Sequence, residues 1–442
     1  MPIDKDPDQD DIQLIQQLYD SDPEREWERL SRHRMEFAVT FKALEHYLPP
    51  APAAILDCGA GAGRYAIALS ERGYDVTLFD LSSKLLEMAR QRAEEAGIVL
   101  AGLELGTATD LSRFSDSEFD AVLLMGPLYH LLSESDRRQA LSEACRVVRP
   151  GSPVFAAFIA RYASHIDAAA HYPERAHAER ELYDRIRETG QLPPTADDAA
   201  RFVAYFAHPN EVSALCQAAN LDVLAVLGLE SLVAGHEDSV NRLTGEPWET
   251  WVDMSYEIGH DASIHGGAEH LLAICQRPQW RATLRLIAQT LNREGLRYHV
   301  VGGASLALRG LPVRVRDLDI EMSKEAIYRF QELFANATTL EVKWREDEDV
   351  RSYFGRFRIQ GIEVEVMAEL ERCTDGRWAR SFCTTDDSVD LEGIRIPVLA
   401  LEEDVLAYLR QGRVDRAALA LPSCDPDRLR GLLSAAYAQG LL

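Results

Sequence analysis

Two stretches of this chain set glycines and carboxylates where apolar runs end, a pattern suited to holding phosphates, riboses or cationic groups. The first reads Asp57-Cys58-Gly59-Ala60-Gly61-Ala62-Gly63 and follows the apolar run Ala54-Ile55-Leu56. Glycines at a strand-to-helix turn let the backbone approach a ligand closely at a helix N-terminus. Asp80 ends the next apolar run, seventeen residues past Gly63, where a carboxylate can grip two ribose hydroxyls. A dinucleotide and S-adenosylmethionine both suit that geometry. Asp57 favours the second, because a carboxylate there attracts a cationic amino-acid group and repels a pyrophosphate.

The second stretch begins with Gly302-Gly303-Ala304-Ser305, which follows the apolar run His299-Val300-Val301. Asp317-Leu318-Asp319 comes next, and later Glu363-Val364-Glu365. On a strand, residues two apart share a face, so Asp317 and Asp319 point the same way. Glu365 on a neighbouring strand completes a three-carboxylate set for two divalent ions such as Mg2+. Such a set clamps a nucleoside triphosphate and activates an attacking hydroxyl. Gly302, Gly303 and Ser305 are placed to hold the phosphates, and Arg314 or, by adjacency, Arg316 to neutralise them.

Both sets of residues need rigid elements behind them. Residues 10–20 and 24–48 carry helical periodicity, the second run ending at Pro49-Pro50. Strands over 54–57, 75–80, 119–125 and 154–160 then alternate with helices near 65–72, 83–96 and 133–148. That alternation predicts a doubly wound, Rossmann-like α/β sheet with helices on both faces. Residues 161–207 interrupt it with a polar, Ala-rich, helical insertion placed to select an acceptor as a lid. A helix at 210–219 and strands at 221–229 and 271–275 close this unit, giving a first domain over 1–278. The rest, 279–442, restarts with a helix at 280–294 and ends in helices near 401–410 and 426–439, a smaller α+β domain.

Composition bounds the function. The chain has 442 residues with a formal net charge of -25, which disfavours nucleic acid and anionic membrane partners and suits a cationic small molecule. Seven scattered Cys give no disulfide framework or zinc spacing. The longest apolar stretches are far too short to cross a bilayer, and the acidic N-terminus is unlike a signal peptide, so the expected location is the cytoplasm. His260, His265 and His270 are five apart, a spacing that turns them to different sides of a helix or strand and argues against a metal set. The oligomeric state is not set by any of these features.

Residues 55–65, 78–82, 119–122 and 146–151, together with Met125-Gly126-Pro127-Leu128-Tyr129-His130 and Gly266-Gly267-Ala268-Glu269-His270, resemble the class I S-adenosylmethionine-dependent methyltransferases. The likeness is to their ubiquinone/menaquinone-methyltransferase-like branch and covers about residues 10–278. It implies that Asp57, Gly59, Gly61 and Gly63 face the methionine part. Asp80 and Leu81 would meet the ribose and adenine, Ala108 and Thr109 the adenine edge, and Met125 would back the site. Thr107 stands where the family usually has an acid, with Asp110 nearby. Tyr129 and His130, past a strand's carboxyl end, face the ligand side.

The ordered Gly-Gly, Asp-x-Asp and later acid resemble the polymerase-β-like nucleotidyltransferases, in their small-molecule and minimal branches, over about residues 281–415. The resemblance implies catalytic, metal-holding roles for Asp317, Asp319 and a third acid, for which Glu363 and Glu365 are both eligible and Glu365 sits in the family's usual register, with ATP the expected donor. Arg413 stands near where the family often has a Lys. The whole chain thus reads as a bifunctional tailoring enzyme acting on a small hydroxylated or amino-bearing molecule. Its alternatives are a methyltransferase whose second domain acts on RNA or protein, through an arginine stripe (Arg309, Arg314, Arg316, Arg351, Arg356, Arg358), or one whose second domain only binds.

Overall fold

A computed structural model describes residues 7–192, 202–313, 315–374, 377–380 and 387–438, in two compact units that divide between Arg277 and Pro278. The first unit opens with helices α1 (Pro7–Ser21), α2 (Pro23–Arg32) and α3 (Arg34–Tyr47). The single helix expected over 24–48 is therefore two. His33 leaves helical geometry between them, and its ring bonds Glu237 at 2.9 Å. A tertiary partner that no local pattern announces makes that break.

Strands β1 (Ala54–Cys58), β2 (Asp75–Asp80), β3 (Gly102–Leu105), β4 (Ala121–Leu124) and β5 (Pro153–Ala160) alternate with helices α4 (Arg64–Ser70), α5 (Ser83–Glu95) and α6 (Glu134–Val147). The strand expected from 119 is shorter, with Phe119 making only an isolated bridge to Val148. Helices α7 (Ala163–His171), α8 (Arg175–Ala178) and α9 (Arg180–Thr189) form the first part of the insertion. The insertion then turns extended, as β6 (Gln191–Leu192) and β7 (Ala204–Ala207), where β7 adds to the end of β5. Pro193-Pro194 lies outside the described residues. Helix α10 (Pro209–Ala218), β8 (Asp222–Gly228), α11 (Glu237–Val240), α12 (Glu246–Gly259) and β9 (His270–Gln276) complete the unit.

The resulting sheet runs β3-β2-β1-β4-β5-β9-β8, with β9 antiparallel to both of its neighbours. Side chains alternate between two cores: Leu56 and Cys58 pack into one cluster, Ile55 into the other. Both faces are thus covered by helices, as a buried parallel sheet requires. Its carboxyl edge is left for ligands.

In the second unit, α13 (Gln279–Arg293) buries Trp280, Leu284, Ile287 and Leu291 at helical spacing. Then come β10 (Tyr298–Val301), α14 (Gly302–Leu308), β11 (Asp317–Met322) and α15 (Lys324–Leu333). Strands β12 (Thr338–Glu346), β13 (Val350–Ile359), β14 (Ile362–Thr374), β15 (Arg377–Arg380), β16 (Asp387–Leu391) and β17 (Ile394–Val398) follow, then α16 (Leu401–Arg410), α17 (Val414–Ala420) and α18 (Pro426–Ala438). The mixed sheet runs β12-β13-β14-β11-β10-β17-β16, with β15 on β14. Sequence reading placed β10, β11 and β14 but not the flanking strands, whose outward residues are charged on both edges. No described helix is long and apolar enough to cross a membrane.

Candidate functional sites

In the first unit, the turn after β1 is shaped by sterics. Gly59 has φ +79°, and a Cβ there would lie 2.4 Å from Pro127 Cδ, so only glycine fits. The amides of Gly59 and Ala60 both donate to the Phe79 carbonyl, tying the turn to β2. Asp80 accepts from the Gly61 amide at Oδ2 and the Ser82 amide at Oδ1, each at 2.8 Å. Burial still pushes its carboxyl up, to about 6. Asp57 is 1% exposed, and burial, with Asp80 adding and the Ala66 amide opposing, raises it to about 7. A buried carboxylate without a cationic partner beside a glycine cradle fits a cationic ligand part.

A cavity of about 110 Å³ opens at this turn. Gly59, Gly61, Asp80, Leu81, Ala108 and Met125 are on its wall, as are Tyr129 and His130. Asp57, Gly63 and Thr109 are not. Gly63 instead starts α4 and lets α5 approach, since a Cβ there would meet that of Ala89 at 2.9 Å. Thr109 turns its hydroxyl to Thr107, 3.0 Å away, and it is Thr107 that reaches the cavity. Asp110 is spent on the Ser112 amide at 3.0 Å and is exposed.

Sequence reasoning missed the cover of this cavity: Ile12, Ile15 and Tyr19 of α1, with Glu26 and Arg29 of α2. The apolar stripe of α1 was visible, but not what it lay against. Arg29 forks onto Glu36 at 2.8 and 3.4 Å. Behind Glu36, His270 Nδ1 lies 2.6 Å from Glu230 Oε1, while Glu230 Oε2 accepts the amides of Glu269 and His270. Burial penalises Glu36, yet Arg29 and His270 outweigh it and hold its carboxyl at about 2. Burial likewise opposes charge on His270, and Glu36 with Glu230 outweighs it, giving about 9. Donor atoms of Glu36, Glu230 and His270 lie within 4.8 Å of one another, but an imidazolium and already-paired carboxylates make an ion cluster rather than a metal cage. His260 and His265 bond separate carbonyls, of Tyr256 and Gly259.

In the second unit, β11 and β14 pair in parallel with Asp319 opposite Glu365 and Asp317 opposite Glu363. Leu318, Ile320, Val364 and Val366 enter the core, so Asp317, Asp319 and Glu365 share the other face. Gly302 has φ +70°, and a Cβ there would press to 2.7 Å from Asp319 Oδ2. Burial, then Asp317 and Glu365, raises Asp319 to about 7, with Arg413 opposing. Asp319 thus lies buried beside two further carboxylates on the same wall, which is the fit expected for a divalent cation site.

These three acids, Gly302, Gly303 and Arg316 line one cavity of about 650 Å³. Ser305 does not. It is 0% exposed, donating to Asp404 Oδ2 at 2.6 Å and accepting from Arg309 Nη1 at 2.7 Å. One helical turn carries its side chain inward, so it braces the glycine turn from behind and is not a phosphate ligand. Glu363 faces Arg356 and Arg358 instead of the cavity, and Arg356 also bonds Glu365 at 2.7 Å. Arg314 lies outside the described residues. Asp404, Glu321, Arg372 and Arg410 on the wall were not foreseen. Glu321 had a signal, since it continues the two-residue alternation of Asp317 and Asp319; burial raises it to about 7.

Comparison with known proteins matches both halves. Residues 55–151 match the family described as methyltransferase domain, and residues 283–420 the family described as aminoglycoside-2''-adenylyltransferase. A ubiquinone biosynthesis O-methyltransferase of Paracidovorax citrulli is 31% identical over 176 residues, 40% of this chain and 66% of that protein. The tRNA 5-carboxymethoxyuridine methyltransferase of Escherichia coli K12 is 30% identical over 128 residues, 27% of this chain and 47% of that protein. The chain thus spans less than two thirds of the length of either relative. A crystal structure of a "putative nucleotidyltransferase" from Thermotoga maritima is 33% identical, covering 36% of this chain and 95% of that one, at a TM-score of 0.30. The chain thus fuses a methyltransferase domain to a nucleotidyltransferase-type domain.

Proposed function

We propose that the chain is a bifunctional tailoring enzyme of the cytoplasm. Its first unit transfers methyl from S-adenosylmethionine, and its second transfers a nucleotidyl group from ATP to a small hydroxylated or amino-bearing molecule. The observation that carries the second activity is the register of Asp317, Asp319 and Glu365 around one large cavity, with Gly302 shaped to the Asp319 carboxylate. Mg2+ held by those three acids would supply charge neutralisation for the triphosphate. Gly302 and Gly303 carry no side chain to keep phosphate from the turn, the Gly302 amide already bonding Asp404, and Arg316 adds a cation on the wall.

In the first unit, bound S-adenosylmethionine would supply an electrophilic methyl group. Asp80 and Leu81 would hold the nucleoside end and Arg29 would meet the methionine carboxylate, while Asp57, behind the glycine turn, would give up its proton as the cationic end binds. Proximity, under the cover of α1 and α2, is what the cavity would contribute.

A cationic, aminoglycoside-like acceptor for the second unit is supported by the family that residues 283–420 match and by the net charge of -25. The arginine stripe offers little to RNA: Arg309, Arg351, Arg356 and Arg358 each face a carboxylate. Titration calorimetry of S-adenosylmethionine, then of each NTP with Mg2+, on the wild type and on Asp317→Asn/Asp319→Asn tests both halves. Binding of both ligand types, with only the triphosphate lost in the variant, is expected. Triphosphate binding unchanged in the variant overturns the assignment of the second site.

A further inference from the structure

His130 stands on the wall of the methyltransferase cavity with both ring nitrogens engaged. Nδ1 lies 2.8 Å from the Val203 carbonyl oxygen, which can only accept, so Nδ1 carries the proton. Nε2 is then a bare lone pair, and the Tyr19 hydroxyl, 2.6 Å away, donates to it. Tyr19 also lines the cavity, and an oxygen that donates its one proton keeps lone pairs free to accept another. The surroundings hold these protonation states. Burial, with Arg29 adding and the Val203 bond opposing, lowers the imidazole to about 4. Burial, with Tyr129, Glu26 and Asp80 adding and Arg29 opposing, raises the Tyr19 phenol.

We propose that Tyr19 and His130 form a proton relay for methyl transfer to a hydroxyl acceptor, with Tyr19 touching the acceptor and His130 receiving the proton. This rests on the methyltransferase reading of the same cavity. The acceptor O–H donates to Tyr19 Oη. As the acceptor oxygen bonds the methyl carbon and the S–CH3 bond breaks, the acceptor proton passes to Tyr19 and the Tyr19 proton to His130 Nε2. The sulfonium becomes a thioether and the imidazole an imidazolium, so charge is conserved and no oxidant or reductant enters. Tyr19 comes from α1, His130 from the loop after β4, and the Val203 carbonyl from the return of the insertion. The relay therefore exists only when α1 and the insertion are both in place.

The test uses the full chain, S-adenosylmethionine carrying a tritiated methyl group, and catechol as a small acidic hydroxyl probe, with cofactor affinity measured by calorimetry alongside. Wild-type protein is expected to methylate catechol. Tyr19→Phe and His130→Gln are expected to lower kcat by about 100-fold or more while S-adenosylmethionine Kd stays within about threefold. Added imidazole should restore part of the rate to His130→Ala, and wild-type kcat should fall as acid protonates His130. Either variant turning over at the wild-type rate overturns the relay. So does a loss of cofactor affinity that matches the loss of rate, or a wild type that binds cofactor and leaves catechol unmethylated. A wild type that binds no S-adenosylmethionine refutes the underlying reading instead.

Discussion

The two units solve one local problem, a strand that ends in glycine and starts a helix, and surround it in opposite ways. At Gly59 one acid, Asp57, is buried one pleat back and another, Asp80, is tied to the Gly61 and Ser82 amides, and the cavity of about 110 Å³ is covered by α1 and α2. At Gly302 the acids stand forward on β11 and β14 and line a cavity of about 650 Å³. In the first unit the missing Cβ makes room for Pro127, in the second for the carboxylate of Asp319. A glycine turn thus licenses close approach and says nothing of the ligand. Where the carboxylates stand decides that: apart, one behind the turn and one tied to backbone amides, for an organic cofactor, and clustered on one strand face for metal and triphosphate.

This contrast can be broken most sharply at the acids. Asp319→Asn should cut nucleotidyl transfer by about 1,000-fold, the scale of losing one preorganised charge partner, while S-adenosylmethionine affinity stays as it was. Radiolabelled triphosphate transfer and calorimetry read the two sides separately. Gly59→Ala comes next: the added Cβ must displace the Pro127 ring, so cofactor affinity should weaken by about 100-fold with triphosphate binding unaffected, a difference of about 2.7 kcal/mol. Arg29→Gln should weaken S-adenosylmethionine by about tenfold and leave 5'-methylthioadenosine, which lacks the amino-acid part, unaffected.

The smallest effect concerns pH. Asp57 folds at about 7 against an ordinary carboxylate value near 4, so the native state holds a proton that the unfolded state has released. Stability therefore falls as pH rises from about 4 through 7, and Asp57→Asn should flatten that slope by a few degrees in Tm. Asp319 produces the same slope in the second unit. Mg2+ should remove it there by replacing the proton, and leave the Asp57 slope untouched. Scanning calorimetry from pH 5 to 8.5 with and without Mg2+ would show it; equal flattening of both transitions would erase the distinction.

Much of this was open to a reader of the chain. Asp317 and Asp319 follow from strand alternation, with Leu318 and Ile320 pointing the other way, whereas alternation leaves Glu363 and Glu365 equal and only the family's register favours Glu365. Gly59 and Asp80 follow from strand, turn and strand spacing. Ser305 misled because it sits one turn into its helix, where a half-helix rotation, invisible as spacing, turns it to Asp404. Gly63 misled because a packing glycine and a ligand glycine look alike in sequence. Thr109 was displaced by two residues, Thr107 taking the cavity.

By itself the sequence determined both sheets' central strands, the glycine turns and the carboxylate registers, because each depends on periods of two or 3.6 residues along one segment. Tertiary structure alone decided what covers the methyltransferase cavity. The break at His33, the Arg29–Glu36–His270 ion cluster and the Tyr19–His130–Val203 bonds join residues up to about two hundred positions apart. Such contacts leave no period behind them. They exist only once the sheet has brought distant ends of the chain to one edge.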